Sequence, residues 1–247
     1  SRFTGEGVLA AILATLAPLY IWYSQEARMY TLITFLLLLS SYAMLRALSP
    51  SLVRGANGGG TGWGLFALAN IAAIYTHYFA FAIIAFQLAY TAYCLLLTAF
   101  RSRLTPHALR FTLYFALIFA AFLPWLPFVL SRFGQDVSYW RGALKLDEAI
   151  RHIFINFAMG ESVLESQAQW IAAGWLIVLL IGLGTLAIKS TVNSRQSTVE
   201  FTHSPTHPLA FLILYLIIPL TLLLILFSRN PKFNARYLMI ASPAFFL

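Results

Sequence analysis

The sequence predicts an all-α protein: a polytopic transmembrane helical bundle of about 8 spans, with an amphipathic interfacial helix in one long outer loop. Three observations carry that expectation. The 247 residues are 60% hydrophobic, 16% aromatic and only 10% charged, with mean hydropathy +0.79. A soluble domain of this length could not hide so much apolar surface. Apolar runs near span length recur along the whole chain, at 7–22, 30–47, 64–76, 79–100, 108–130, 170–188, 208–228 and 236–247. The basic residues behind the pI of about 9.8 sit in short loops between those runs. That is the placement of topology control and lipid-headgroup contact, so membrane lipid is expected as a partner and nucleic acid is not.

Crossing a ~30 Å hydrocarbon core takes roughly 20 apolar residues. The run 7–22 is a candidate and has no basic leader or cleavage pattern of a signal peptide. Run 30–47 follows a short polar connection. Gly55 to Gly62 is a flexible linker, and without a Gly-Lys-Ser/Thr ending it is no phosphate loop. Gly64 to Phe100 is too long for one crossing, and its polar, aromatic middle, Tyr75-Thr76-His77-Tyr78, divides it. In 108–130, Pro124-Trp125-Leu126-Pro127 bends the outer end. Pro18 and Pro219 also interrupt apolar runs, as membrane helices tolerate where neighbours re-satisfy the backbone.

The loop 131–169 holds Leu146, Ile150, Ile153, Phe154 and Phe157 at helical spacing, opposite Asp147, Glu148, Arg151 and His152. This is an amphipathic helix, lying flat in the outer interface or packed on the outer loops. Cys94 is the only cysteine and excludes a disulfide framework or thiolate metal site. His203 and His207 have metal-ligand spacing, but Pro205 between them breaks the helix that would align them. The chain reads as one transmembrane domain, 1–247, and its ends at Ser1 and within an apolar run lead us to expect a piece of a longer protein.

Alternating crossings place Arg2, Arg46, Arg54, Arg101, Arg103, Arg110, Lys189 and Arg195 on one side, and Arg28, Arg132, Arg141, Lys145, Arg151, Arg229, Lys232 and Arg236 on the other. The counts tie, but several of the second set lie in the long loop, which weighs less in topology. The first side is therefore assigned to the cytoplasm. Segments 23–29, 76–78, 131–169 and 229–236 then share the outer face, together with six of the eight acids.

Two of these segments carry candidate chemistry. Tyr23-Ser24-Gln25-Glu26-Ala27-Arg28-Met29-Tyr30 sets an amide, a carboxylate and a guanidinium between two apolar runs, costly unless they face water or a cavity. Glu26 and Arg28 would point apart on a helix, whereas in a turn they line one cavity or cap two helices. Arg229-Asn230-Pro231-Lys232-Phe233-Asn234-Ala235-Arg236-Tyr237 brings three cations to the outer face, against the positive-inside bias. A phosphate headgroup is the simplest partner, bound specifically or as anionic lipid. His77, between Tyr75 and Tyr78, reads first as an interfacial hydrogen-bonding residue and second as a catalytic one.

At these residues the chain resembles a known family. The octet Tyr23 to Tyr30 is similar to the segment common in bacterial and archaeal glycosyltransferases of the GT-C type, relatives of the protein O-mannosyltransferases and aminoarabinose transferases. Tyr75-Thr76-His77-Tyr78-Phe79, Leu123-Pro124-Trp125-Leu126 and Ala235-Arg236-Tyr237-Leu238 are weak singly but agree in order and spacing. The resemblance implies an integral membrane enzyme that moves a sugar from a polyprenyl-phosphate donor to a glycan, lipid or protein acceptor. The reaction would occur on the outer face of the prokaryotic cell membrane. It implies a main catalytic aspartate upstream of residue 1, with Glu26 lining the catalytic cavity rather than replacing it. Gln25, Arg28, His77, Tyr78, Arg229, Lys232, Arg236 and Tyr237 become substrate-binding candidates, Arg236 and its neighbours suiting the lipid phosphate. Beyond that donor no cofactor is implied, and a divalent metal is left open because the sequence shows no ligand cluster. The competing reading is a non-catalytic flippase or transporter of lipid-linked sugar. A secondary transporter would call for mid-span charges and repeat symmetry, which the sequence lacks.

Overall fold

A computed structural model describes residues 5–25, 29–48, 58–99, 105–132, 145–160, 165–196, 208–229 and 234–246. Every element among them is helical: α1 Gly5–Leu16, α2 Pro18–Gln25, α3 Tyr30–Leu48, α4 Gly58–Thr76, α5 Ala80–Ala99, α6 Thr105–Phe122, α7 Leu126–Arg132, α8 Leu146–Met159, α9 Glu165–Gln196, α10 Pro208–Arg229, a 3-10 helix Ala235–Ala241, and α11 Pro243–Phe246. Helices stand where all eight apolar runs were predicted, though a count of about 8 spans is not confirmed. Among the described residues, four are long and apolar enough to cross a membrane, at Tyr30–Leu48, Ala80–Leu97, Ser166–Ile188 and Pro208–Ser228, which is consistent with an integral membrane protein.

The other four runs fall short for identifiable reasons. Run 7–22 becomes α1 and α2, bent by 53° at Ala17, because Pro18 has no N–H to continue the first helix; counted as one span the pair makes five. Helices Gly62–Thr76 and Ala108–Phe122 are apolar but shorter. The second of these stops at the Leu123–Trp125 turn holding Pro124, beyond which α7 resumes. The final run is no straight span. Its 3-10 helix has 7 residues, so at about 2 Å per residue it covers about 14 Å, and Pro243 then opens the single turn of α11.

That last segment is instead the centre of the bundle. Leu238, Met239, Ala241 and Ser242 are fully buried. Phe245 packs against Phe157 and Trp175, with ring centroids 5.8 and 5.9 Å away, and Ser242 Oγ lies 2.8 Å from Tyr20 Oη. Around it, α3 and α4 run antiparallel with small residues at the contact. A methyl group on Gly62 would meet Ala47 Cβ at 3.3 Å, the close approach that membrane helices use in place of hydrophobic drive. On the other side α10 packs along α5 through Phe86–Tyr215 and Tyr90–Phe211, 4.9 and 5.2 Å apart.

The middle of this assembly is polar. Gln87 of α5 donates through Nε2 to Ser40 Oγ at 2.7 Å and Ser41 Oγ at 3.0 Å on α3, and its Oε1 accepts from Asn70 Nδ2 of α4 at 3.0 Å. All four side chains are buried. In so apolar a place the two carboxamides bond each other where water is lacking, Asn70 Oδ1 being left without a partner among the described residues, so the node fixes the relative register of three helices. Uncharged and far from any loop, it drew no attention in the sequence.

The predicted amphipathic helix is present as α8. Its C-terminal part docks on α2, α9 and the 3-10 helix through Ile153, Phe157 and Ala158, while Leu146 and Ile150 stay 56% and 43% exposed. The expected apolar stripe is thus split between protein contact and an outward end. At its C-cap Gly160 has φ 67° and ψ −160°, a region nearly reserved for glycine. A methyl group there would meet Leu19 N and Pro18 C at 3.3 Å, so α8 ends directly on the break between α1 and α2.

Two stability outcomes follow from these contacts. Gln87→Leu lowers the melting temperature in detergent, by about 1–3 kcal/mol of stability, because it orphans Asn70 as well as losing three bonds. Asn70→Leu combined with Gln87→Leu costs less than the sum of the two, and an additive result would contradict a coupled node. Gly160→Ala destabilises by roughly 1–3 kcal/mol from backbone strain alone, measurable in the same melting assay against an Ala substitution at exposed Ser166 as control.

Candidate functional site

One end of the bundle gathers three loop segments far apart in sequence. The end of α2 and the start of α3 bring Tyr23 and Tyr30. The α4–α5 turn brings His77, Tyr78 and Phe79, and the start of the 3-10 helix brings Arg236 and Tyr237. Tyr30 lies at their junction, with ring centroids 5.8 Å from Tyr23, 6.2 Å from His77 and 6.0 Å from Tyr237. Phe79 closes the group from below, 5.2 Å from Tyr237 and 5.8 Å from Phe227 of α10.

Arg236 owes its position to local backbone chemistry. Asn234 is the N-cap of the 3-10 helix, in extended conformation, and its Oδ1 accepts from Arg236 N at 3.0 Å, as asparagine commonly does at helix starts. The guanidinium then lies over two rings, 5.8 Å from the Tyr30 centroid and 5.4 Å from that of Tyr237. With the rings themselves 6.0 Å apart, the three separations make a near-equilateral triangle. Both rings therefore stand on the same side of the guanidinium, and its other side is clear of them.

The charge on Arg236 is secure, and no carboxylate among the described residues compensates it. Burial alone would lower its pKa, but a side-chain hydrogen bond with Tyr237 and the neighbouring Tyr30 and Tyr23 outweigh this and the net shift is upward. Among the described residues the ion pair is Lys145–Glu148 at 3.4 Å, on α8, and no carboxylate pairs with Arg236. Its Nε is buried without a hydrogen-bond acceptor among them. A half-buried cation with an orphaned N–H is an arrangement that an anionic oxygen completes.

His77 is a neutral neighbour. Its Nδ1 accepts the Phe79 N–H at 3.1 Å, so in the neutral ring the proton is on Nε2. Burial pushes its pKa down from 6.5 to about 4. The ring stacks on Tyr78 at 4.5 Å, and the half-exposed Tyr78 forms the outer layer of the group.

Of the nine residues singled out in the sequence, His77, Tyr78, Arg236 and Tyr237 thus come together. Gln25 ends α2 and is exposed, and Arg229 ends α10. Glu26, Arg28, Lys232 and the side chain of Arg229 lie outside the described residues. Tyr23, Tyr30, Phe79, Asn234 and Phe227 were not singled out as site residues. Tyr23 and Tyr30 bound the octet, but nothing in the sequence separates a wall-forming tyrosine from an interfacial anchor. No group of three His, Cys, Asp or Glu among the described residues could hold a metal ion. Compared with protein-family models, curated proteins and solved structures, the chain matches none.

The lowered His77 pKa gives a pH dependence of known sign. The unfolded state binds the proton near pH 6.5 and the folded state only near 4, so stability is complete above pH 6.5 and falls as the pH drops through that window. His77→Asn keeps an acceptor for the same N–H, since an asparagine side chain bonds the backbone two residues on. It should therefore melt like the parent at pH 7 and lose less than the parent at pH 5. Identical acid losses in the two proteins would remove His77 as the cause.

Proposed function

We propose that the chain is part of an integral membrane glycosyltransferase of the GT-C type, which moves a sugar from a polyprenyl-phosphate donor to a glycan, lipid or protein acceptor on the outer face of a prokaryotic cell membrane. The observation that carries the reading is Arg236: a guanidinium without a carboxylate partner among the described residues, its Nε lacking an acceptor, held beside Tyr30 of the octet and His77. The resemblance of the octet and of the three shorter motifs supplies the family, and the helices long enough to cross a membrane supply a home for a lipid-tailed donor.

The chemistry required is modest and fits these groups. An acceptor hydroxyl attacks the anomeric carbon, the bond from that carbon to the phosphate oxygen breaks, and the electron pair leaves on the polyprenyl phosphate. The hydroxyl proton passes to a carboxylate base. Charge grows on the leaving phosphate, where a fixed guanidinium lowers the barrier most when its donors are aimed in advance. Arg236 fills that role; by the resemblance, Arg28, Arg229 and Lys232 would add positive potential and Glu26 would line the cavity. Neutral His77 would offer Nε2–H as a donor to a sugar hydroxyl or phosphate oxygen without adding charge, beside Gln25 and the rings of Tyr78 and Tyr237.

Purified protein in proteoliposomes, given radiolabelled polyprenyl-phosphate hexose, tests the reading. Sugar should appear on the acceptor with the parent protein. Arg236→Ala should lower kcat/KM for the donor by about 10- to 100-fold, the weight of a charge-assisted hydrogen bond, and Glu26→Gln should lower it too. Movement of the labelled lipid across the bilayer with no transfer would instead identify a flippase.

A further inference from the structure

We infer that Tyr30 is the positioning residue for Arg236: its ring holds the guanidinium by a cation–π contact, so among the described residues the anion site is assembled by aromatic faces and not by an ion pair. The inference deepens the proposed function and rests on it for the identity of the anion. It assigns Tyr30 a role that the motif Tyr23 to Tyr30 does not disclose, since the amide and the charges of that octet are on Gln25, Glu26 and Arg28.

The geometry argues this in three steps. First, Tyr30 is 6% exposed and meets Tyr23, His77 and Tyr237 with centroids no more than 6.2 Å away. Its ring is fixed from several directions before any ligand binds, as a positioning group must be. Second, arginine has a long, flexible side chain that costs up to about 2 kcal/mol of rotamer entropy to immobilise. Asn234 fixes only the backbone of Arg236; the guanidinium itself is placed over Tyr30 and Tyr237. Third, both rings stand on one side. A carboxylate partner would occupy the N–H edge that an anionic ligand needs, whereas an aromatic face steadies the cation and leaves Nε–H without an acceptor among the described residues. Orphaned Nε fits this arrangement.

Cation–π attraction follows the electron density of the ring, which separates it from simple packing. Tyr30 is therefore replaced by phenylalanine and by phenylalanines bearing one, two and three ring fluorines, which keep the shape and drain the face. Binding of a polyprenyl monophosphate in detergent is measured for each, with the uncharged polyprenol as control. Phenylalanine should bind within about twofold of the parent, and affinity should then fall stepwise, reaching about 5- to 30-fold at three fluorines. In parallel, the Arg236 Nε–H resonance, assigned by its loss in Arg236→Lys, should move downfield in Tyr30→Leu as the ring current is removed.

The outcomes separate the two claims. A parent that prefers polyprenyl monophosphate no more than polyprenol would defeat the proposed donor, while the Nε–H shift still decides the role of Tyr30. A flat fluorine series in proteins that melt normally would overturn the positioning role, as would an unmoved Arg236 resonance in folded Tyr30→Leu. Should Tyr30→Leu fail to fold, the same resonance read across the fluorinated series gives the answer.

Discussion

The contact on which the rest of the structure depends is the carboxamide of Gln87. Its bonds to Ser40, Ser41 and Asn70 tie α3, α4 and α5 together through polar groups, in a medium that offers no water as an alternative. A helix face of leucine and alanine slides easily past another when both sides are apolar, because lipid competes equally for each surface. A donor with only two suitable acceptors does not. Tyr30 lies ten residues before Ser40, about 15 Å along α3, and Phe79 lies eight before Gln87, about 12 Å along α5. Locking these helices near their middles thus brings their ends to the same level, where the aromatic group and Arg236 meet.

At that end the described residues steady a cation without an opposite charge among them. A carboxylate beside Arg236 would stabilise the folded state and also compete with any anionic ligand. Tyrosine faces stabilise the cation less, by about 0.5–2 kcal/mol each, but leave its Nε–H without an acceptor among the described residues. His77 is kept out of the charge balance by its own burial and by donating no positive charge at neutral pH. The Phe79 N–H fixes its tautomer. The group thus carries one firm positive charge, several neutral donors and a set of ring faces, all preorganised by contacts with the bundle.

The periphery follows a different rule. In the membrane-crossing window of α9 only 6% is buried, against 50% in those of α3 and α5. Trp170, Ile177 and Ile181 would be a liability in water but are ordinary in lipid. The helix is attached where it is needed, through Trp175 to Phe245 and through its N-terminal turns to α8. That attachment places α8 against the break at Ala17, with Gly160 allowing the close approach. Helix α8 thereby links the bent first span to the buried 3-10 helix, whose first residues carry Arg236 and Tyr237.

Much of this was legible from the order of residues. Apolar runs located the helices, since lipid exposure demands long uncharged stretches. Polar breaks located their ends: His77-Tyr78 between α4 and α5, Pro124 between α6 and α7. Local chemistry also marked His77, Tyr78, Arg236 and Tyr237. Hydropathy could not say which apolar runs cross and which lie buried, because both environments select the same side chains. The 3-10 helix Ala235–Ala241 is the clear case, as apolar as a span yet buried among protein side chains. Nor could it weigh Asn70 and Gln87, whose value is a mutual hydrogen bond, or Tyr30, whose value is where its ring stands. The amino-acid sequence by itself determined the helical class, the turn positions and the residues able to carry charge at one end. Only the tertiary structure decided which tyrosine faces which cation, because a side chain's partner depends on helix register, and the register is set by contacts between segments that sequence distance does not reveal.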